Sequence, residues 1–264
     1  MIENKHPICQ IESPHLLPAV VADSREIVKS INNALSRIMP EHQSLVRADV
    51  NSITVDCEKT PLKIPLSVDS RWSLVINQFN TLWPEFSLFL SPAIQEISNR
   101  YNYGDYFFEL VLFAGFDIET PFGVHVDPSN MRAYHLQLVG SKTFVFYLNQ
   151  EVRFGSEMPD LRASDAVNFK ICSGQIAYLP TIYPHCAQYD GLSVGLALAV
   201  WKRSIGQKID FYNRLRTEEA CNSFEHYKSD FATPAPFPQQ TVQDALRYFS
   251  DNSIQQKVDS WFKN

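Results

Sequence analysis

Positive charge is in short supply in this chain. Its 264 residues carry 23 Lys+Arg against 29 Asp+Glu, a formal net charge of −6 with a pI near 5.6. A protein that lives on nucleic-acid phosphates usually shows a basic excess, so no nucleic-acid partner is expected. The short basic run Trp201-Lys202-Arg203, with Lys208 beyond it, reads as a solvated strand end. Long apolar runs are missing too: the most apolar stretch, Val194 to Trp201, is far too short to span a bilayer. Met1 to Gln10 carry charges and a proline where a secretory leader needs an apolar segment. Cysteines number five, an odd count, and no Cys-x-x-Cys pair occurs. That argues against a disulfide framework and the usual structural zinc sites. The expectation is a cytoplasmic protein with reduced thiols and no membrane contact. Cys172 and Cys186 fall in strand-like runs and read as small buried thiols. Internal repeats, low-complexity tracts and long linkers are also lacking.

What is present divides the chain into a single unit of three parts. Over 1–103 the pattern is mostly helical. Ile27, Val28, Ile31, Ala34, Leu35 and Ile38 share one helical face, and Pro40 ends the run. Leu62, Ile64, Leu66 and Val68 alternate as a strand does. Trp72, Val75, Ile76, Phe79, Leu82 and Trp83 again recur at helical spacing. Over 104–205 short β-rich runs follow one another between Gly, Pro, Asn and Asp: Tyr106–Ala114, Gly123–Asp127, Ala133–Val139, Lys142–Leu148, Val167–Cys172, Gln175–Leu179 and Ser193–Trp201. Such a series predicts a sandwich or barrel. Over 206–264 two apolar helical stripes return, Val242-Ala245-Leu246-Phe249 and Ile254-Val258-Trp261-Phe262. They can cover the barrel or make a homodimer contact.

His125-Val126-Asp127 sets two metal-ligand side chains two residues apart. In a strand both point to one face, with Cα atoms roughly 6–7 Å apart, close enough to share a metal. Seven His and 29 acids in this length supply roughly 0.8 such pairs by chance, so the surroundings must decide. The pair is entered through Pro121-Phe122-Gly123 and left through Pro128-Ser129-Asn130. Further on, Gly174-Gln175-Ile176-Ala177-Tyr178-Leu179-Pro180 reads as turn, strand and stop. His185 follows five residues after that proline, and a late histidine at a barrel mouth can complete a two-His, one-carboxylate set. Between them, Gly140-Ser141 looks like a two-residue hairpin turn. It would pair Val139 with Lys142, Gln137 with Phe144 and His135 with Phe146, turning all six side chains to one face. If that face is the interior, Lys142 is buried and needs an anionic partner. A dicarboxylate would supply one.

His125-Val-Asp127-Pro128, then Gly140-x-Lys142, then Pro184-His185, resembles the jumonji-type (JmjC) hydroxylases. These are cupin-like Fe(II)- and 2-oxoglutarate-dependent oxygenases, and the resemblance is to their protein- and peptide-hydroxylating branch. It covers roughly Phe107 to Arg203. It implies a mainly β (α+β) fold: a double-stranded β-helix (cupin or jelly-roll) core with N- and C-terminal helical flanks. It implies His125, Asp127 and His185 as Fe(II) ligands and catalytic residues, and Lys142 on the distal carboxylate of 2-oxoglutarate. His135 falls where that branch often has a cosubstrate-binding asparagine. The chain departs from the pattern at Phe122, where a threonine is frequent, and at Ala197 and Ala199, where a polar residue is frequent. Tyr101, Tyr103 and Tyr106 are candidates for a replacement hydroxyl. Asn130 and Arg132, just past the ligand strand, could meet a substrate, whereas Asp117 and Glu119 read as an exposed loop.

Two imidazoles and a carboxylate leave three positions of an Fe(II) free for 2-oxoglutarate and O2. The implied reaction hydroxylates an unactivated C–H bond and releases succinate and CO2. The substrate class spans a peptide or protein side chain, an amino acid or a natural-product precursor. Two rival readings are a metal cupin that does not use 2-oxoglutarate (a dioxygenase or isomerase) and a catalytically idle cupin binding module. Asp127 with Lys142 counts against the first, since such cupins usually carry three histidines. An intact triad counts against the second.

Overall fold

The structure is a computed structural model that describes residues 9–11, 17, 23–57, 66–82, 91–98, 100–101, 105–149 and 151–207. The two C-terminal stripes, Lys208, and Leu62, Ile64, Trp83 and Tyr103 lie outside the described residues.

Among the described residues, nine strands build the fold: β1 Cys9–Ile11, β2 Val46–Val50, β3 Ile53–Val55, β4 Trp72–Ile76, β5 Tyr106–Phe116, β6 Met131–Tyr147, β7 Ala166–Cys172, β8 Ile176–Leu179 and β9 His185–Lys202. The long strands β6 and β9 run antiparallel over nearly their whole lengths, and both serve two sheets. Their outer halves, Met131–Val139 and Val194–Trp201, pair with each other and are flanked by β8 and β5. Their other halves, Ser141–Phe146 and His185–Asp190, pair again and are flanked by β7 and by a bridge to His125. Ala133, Ala177 and Ala199 of the first layer pack into one cluster with Phe144, Phe146, Ile171 and Ala187 of the second. Two layers, shared long strands and antiparallel pairing throughout make a double-stranded β-helix.

Glycine makes the change of sheet possible. Gly140 has φ +65°, and a Cβ there would lie 1.9 Å from the Leu192 carbonyl oxygen. Gly191, at the matching point of β9, has the same φ but open space where its Cβ would be. Its N–H donates to Asp117 Oδ1 at 2.7 Å, so Asp117 holds the bend rather than decorating a free loop. Gly140→Ala is therefore expected to destabilise the fold by about 3 kcal/mol or more, and Gly191→Ala by only about 1 kcal/mol. Denaturant midpoints of the two variants check the difference; equal losses would mean that the Leu192 contact is unimportant.

Gly140-Ser141 is thus not a hairpin turn. The chain continues in one direction through it, with register shifts on either side of Val139. The consequence drawn for side chains survives for another reason. The bulge changes the parity of the strand, so His135 and Gln137 before it and Lys142, Phe144 and Phe146 after it are all buried inward. Val139 does not join them; it packs with Leu136 and Leu138 in the core outside the barrel.

The first part contributes strands as well as helices. Helix α1, Ser24–Leu35, buries the expected stripe and is capped by Asp23, whose carboxylate accepts the N–H groups of Arg25 and Glu26. Trp72–Ile76, at helical spacing in the sequence, is β4 instead, between β2 and β5 with all five residues buried. A strand covered on both faces loses its alternation and mimics a helix in a hydrophobicity pattern. Only Phe79–Leu82 beyond it is helical (α2), anchored where Asn80 Oδ1 accepts the Leu110 N–H at 3.0 Å. Leu66 and Val68 lie in a turn region, not a strand. A short helix α3, Ser91–Ser98, completes the flank. No helix among the described residues is long and apolar enough to cross a membrane.

Candidate metal centre

His125, Asp127 and His185 come together at one end of the barrel, their ligand atoms all within 4.8 Å of one another. Backbone pairing fixes the two histidines. His125 N–H donates to the His185 carbonyl at 2.9 Å, and His185 N–H donates back at 2.8 Å. Gly123–Asp127 is therefore a single bridge, not a full strand. Asp127 N–H is held by the Thr181 carbonyl at 3.2 Å.

The ring orientations follow from a second layer of bonds. Nδ1 of His125 lies 2.9 Å from the Gly123 carbonyl, and Nδ1 of His185 lies 2.9 Å from the Tyr183 carbonyl. A carbonyl only accepts, so each Nδ1 carries the proton and each Nε2 keeps its lone pair. Those two Nε2 atoms face opposite oxygens of the Asp127 carboxylate, each at 3.7 Å. Burial pushes His185 below its ordinary value; Asp127 opposes this, and His125 adds to it. Two neutral imidazole nitrogens and one carboxylate turned inward fit a divalent ion of intermediate hardness such as Fe(II).

A cavity of about 330 Å³ opens beside the triad. Its walls include Phe113, Met131, Ala133, Phe144, Leu179, Ala187, Ala197 and Ala199, so the positions where a polar residue was missed are indeed apolar wall. Lys142 also lines it, and is only 2% exposed. Its ammonium rests 4.1 Å from the Phe113 ring centre and 5.0 Å from that of Phe144. No carboxylate among the described residues pairs with it, and burial drives its pKa down to about 7.

His135 reaches the cavity wall but is already engaged. The Gln137 amide donates to Val139 O at 2.6 Å and to Ser193 Oγ at 2.9 Å. Its Oε1 therefore faces His135 Nε2, at 2.9 Å, and that nitrogen must be the donor. In the neutral ring Nδ1 is then an acceptor and has no proton for a carboxylate. Burial, and next the charge of Lys142, hold the ring well below its ordinary value. His135 therefore stands neutral on the cavity wall, with Gln137 on its donor nitrogen.

Other sequence expectations separate here. Tyr101 and Tyr106 lie away from the cavity; Tyr101 instead hydrogen-bonds Tyr134 at 2.8 Å. Asn130 and Arg132 do not line it either. Cys172 is exposed, because the last residue of β7 turns outward, while Cys186 is half-buried and its thiol is pushed up to about 12. Trp201 faces the cavity and Arg203 is buried against Phe107, so of that run only Lys202 is an exposed strand end. Sequence reasoning missed Asn77, Glu109, Phe113 and Thr120 as wall residues. The alternation of β5 could have pointed to Glu109 and Phe113; nothing local marks Asn77 or Thr120.

Strand pairing and ligand set together define the class: a double-stranded β-helix protein with a preformed two-histidine, one-carboxylate cluster at the mouth of its barrel. No family model and no curated protein matches the chain. Among solved structures it is similar to the E. coli protein YcfD at 18% identity and a TM-score of 0.43, over 85% of this chain and 64% of that one. It is also similar to the E. coli ribosomal oxygenase YcfD in complex with cobalt and 2-oxoglutarate, at 16% identity and a TM-score of 0.42, over 85% and 62%. A third, oxalate decarboxylase from Bacillus subtilis, is 11% identical with a TM-score of 0.28, over 64% and 36%. The chain spans less than two thirds of the length of each.

Proposed function

We propose that this protein is an Fe(II)- and 2-oxoglutarate-dependent oxygenase. In this reading it hydroxylates an unactivated C–H bond of a peptide or protein side chain, an amino acid or a natural-product precursor. One observation carries the reading: a buried lysine, without an anionic partner among the described residues, shares a cavity with a preformed facial triad. A buried ammonium among aromatic rings is costly by itself and is relieved by a carboxylate. A dicarboxylate that also chelates the metal meets both requirements.

When bound, the iron and its keto-acid cosubstrate supply the oxidising chemistry, with succinate and CO2 as products. The protein's own residues supply the rest. His125, Asp127 and His185 hold the metal on one side, and the Gly123 and Tyr183 carbonyls keep both imidazoles in the ligating tautomer. Lys142 takes the distal carboxylate and fixes the direction in which the keto acid enters. The apolar wall of Phe113, Ala133, Ala187, Ala197 and Ala199 excludes water from the reacting carbon. His135, tied to Gln137, shapes that wall.

The test is direct. Purified protein with Fe(II), ascorbate and 2-oxoglutarate in air is expected to form succinate slowly without substrate, and none when Zn(II) replaces iron. Calorimetry with Mn(II)-loaded protein is expected to show one 2-oxoglutarate per chain. Absence of both succinate and binding would leave the two rival readings, a metal cupin of another chemistry or an idle binding module.

A further inference from the structure

The barrel cavity holds an amine with little to keep it charged. Lys142 stands just past the Gly140 bend, directly across the strand pair from Tyr189 of β9, so both side chains leave one face of the sheet. Both are buried, at 2% and 1% exposure. Phe113 reaches the same point from β5. Three rings therefore surround the nitrogen: Lys142 Nζ lies 4.1 Å from the ring centre of Phe113, 5.0 Å from that of Phe144 and 5.2 Å from that of Tyr189. Ring faces attract an ammonium far less than the water they displace.

The titratable groups around Lys142 supply no anion. Burial lowers the pKa of His135 on β6 and of His185 on β9, and it pushes the Tyr189 hydroxyl up. That hydroxyl has no hydrogen-bond partner among the described residues. Two carboxylates, Glu109 and Asp127, line the same cavity, yet neither offsets the effect of burial at Lys142. The amine is thus largely without its proton near neutral pH, and its lone pair is free. It is also within reach of small molecules, because it lines a cavity whose wall residue Phe122 is 39% exposed. Surface lysines differ on each count: Lys29 pairs with Glu26 at 3.7 Å and Lys170 with Asp190 at 3.1 Å, both hydrated and charged.

We infer that Lys142 is a carbonyl-capture site: its amine condenses with a short aliphatic aldehyde that enters the cavity, and the adduct fills the seat given above to 2-oxoglutarate. The second clause rests on the oxygenase reading; the first does not. A lysine desolvated among apolar groups is an activated nucleophile. Its lone pair attacks the carbonyl carbon, a C–N bond forms, and the C=O electron pair moves to oxygen. Both N–H protons leave with that oxygen as water, through solvent in the cavity, and a neutral imine remains. No oxidant or reductant is consumed. The imine replaces a buried amine without adding charge, and the alkyl chain lies against Leu179, Ala187 and Ala197. An aldehyde bearing hydroxyls loses hydration on that wall and gains nothing from it.

The experiment uses the full chain at a pH of about 7.5, where exposed lysines are almost wholly protonated. Cyanoborohydride reduces imines to stable amines, the probes are butanal and glyceraldehyde, and peptide mass spectrometry reads the label at each lysine. With butanal, Lys142 is expected to be alkylated at least about tenfold faster than Lys29 or Lys170. With glyceraldehyde that ratio is expected to fall about threefold or more. In urea the lysines are expected to react alike, which ties the preference to the fold. Protein labelled at Lys142 and loaded with Mn(II) is expected to keep its metal and lose 2-oxoglutarate binding in calorimetry. Labelling of Lys142 no faster than of Lys29 and Lys170 overturns the inference. So does undiminished 2-oxoglutarate binding by the labelled protein. Binding of 2-oxoglutarate to unlabelled Mn(II) protein is measured first. Its failure removes the oxygenase reading, and capture is then judged on the labelling rates alone. Slow labelling in protein that binds 2-oxoglutarate removes only capture.

Discussion

Replacing Asp127 with alanine is expected to abolish metal binding and, with it, all 2-oxoglutarate-dependent succinate formation. The geometry sets the size of the effect. Asp127 carries the only negative charge of the triad, and its two oxygens stand 3.7 Å from the two imidazole nitrogens. Losing a partner that merely orients a ligand typically lowers metal affinity about 10–100-fold. Losing a ligand itself, with its charge, exceeds that, so a decrease of at least about 100-fold is expected. His125→Ala is expected to do the same, leaving a two-ligand remnant. The fold should persist, because the backbone bonds that bridge residues 125 and 185 do not involve these side chains. Metal content after dialysis, succinate yield and thermal melting check the three parts separately. Wild-type succinate from either variant would end the metal assignment.

The second large effect concerns Lys142. Lys142→Ala leaves a bound dicarboxylate with one end unpaired inside an apolar cavity. That is expected to cost about 2–5 kcal/mol, 30-fold or more in 2-oxoglutarate affinity, with metal binding retained. The pH dependence is more diagnostic. Lys142 titrates near 7 when no anion faces it, and a bound carboxylate favours its charged form, so binding takes up a proton above pH 7. Affinity should then fall by up to about tenfold per pH unit above 7, and Lys142→Met should flatten the dependence. His135→Asn should not flatten it, since His135 stays neutral across that range. Stability follows the opposite course. Because the folded pKa lies below the unfolded value, the folded chain binds fewer protons between about 7 and 10.5, and the anion-free protein gains stability as pH rises through that window. A pH-independent 2-oxoglutarate affinity in the wild type would place Lys142 outside the binding site.

The three candidate metal ligands were legible in the sequence because two different signals converged on them. His125-x-Asp127 is local geometry, two residues on one face, and His185 stood after a turn, a strand and a proline stop. What misled was also local. Gly140-Ser141 has the composition of a hairpin turn, and Trp72 to Leu82 has the spacing of a helix. Both are overruled by tertiary contacts: Gly140 is glycine because the Leu192 carbonyl occupies the place of its side chain, and β4 is a strand because it is covered on both faces.

The sequence by itself determined a β-rich core and the candidate ligand types with their spacing, because these depend on alternation and short-range geometry within single strands. Only the tertiary structure decided how the long strands divide between two sheets, which nitrogen of each histidine is free, and that Gln137 rather than a ligand claims His135. It also decided that Glu109, Asn77 and Trp201 meet in one cavity. The physical reason is sequence distance: these groups are brought together by pairings between strands that lie up to about ninety residues apart, and no local propensity encodes a register between them.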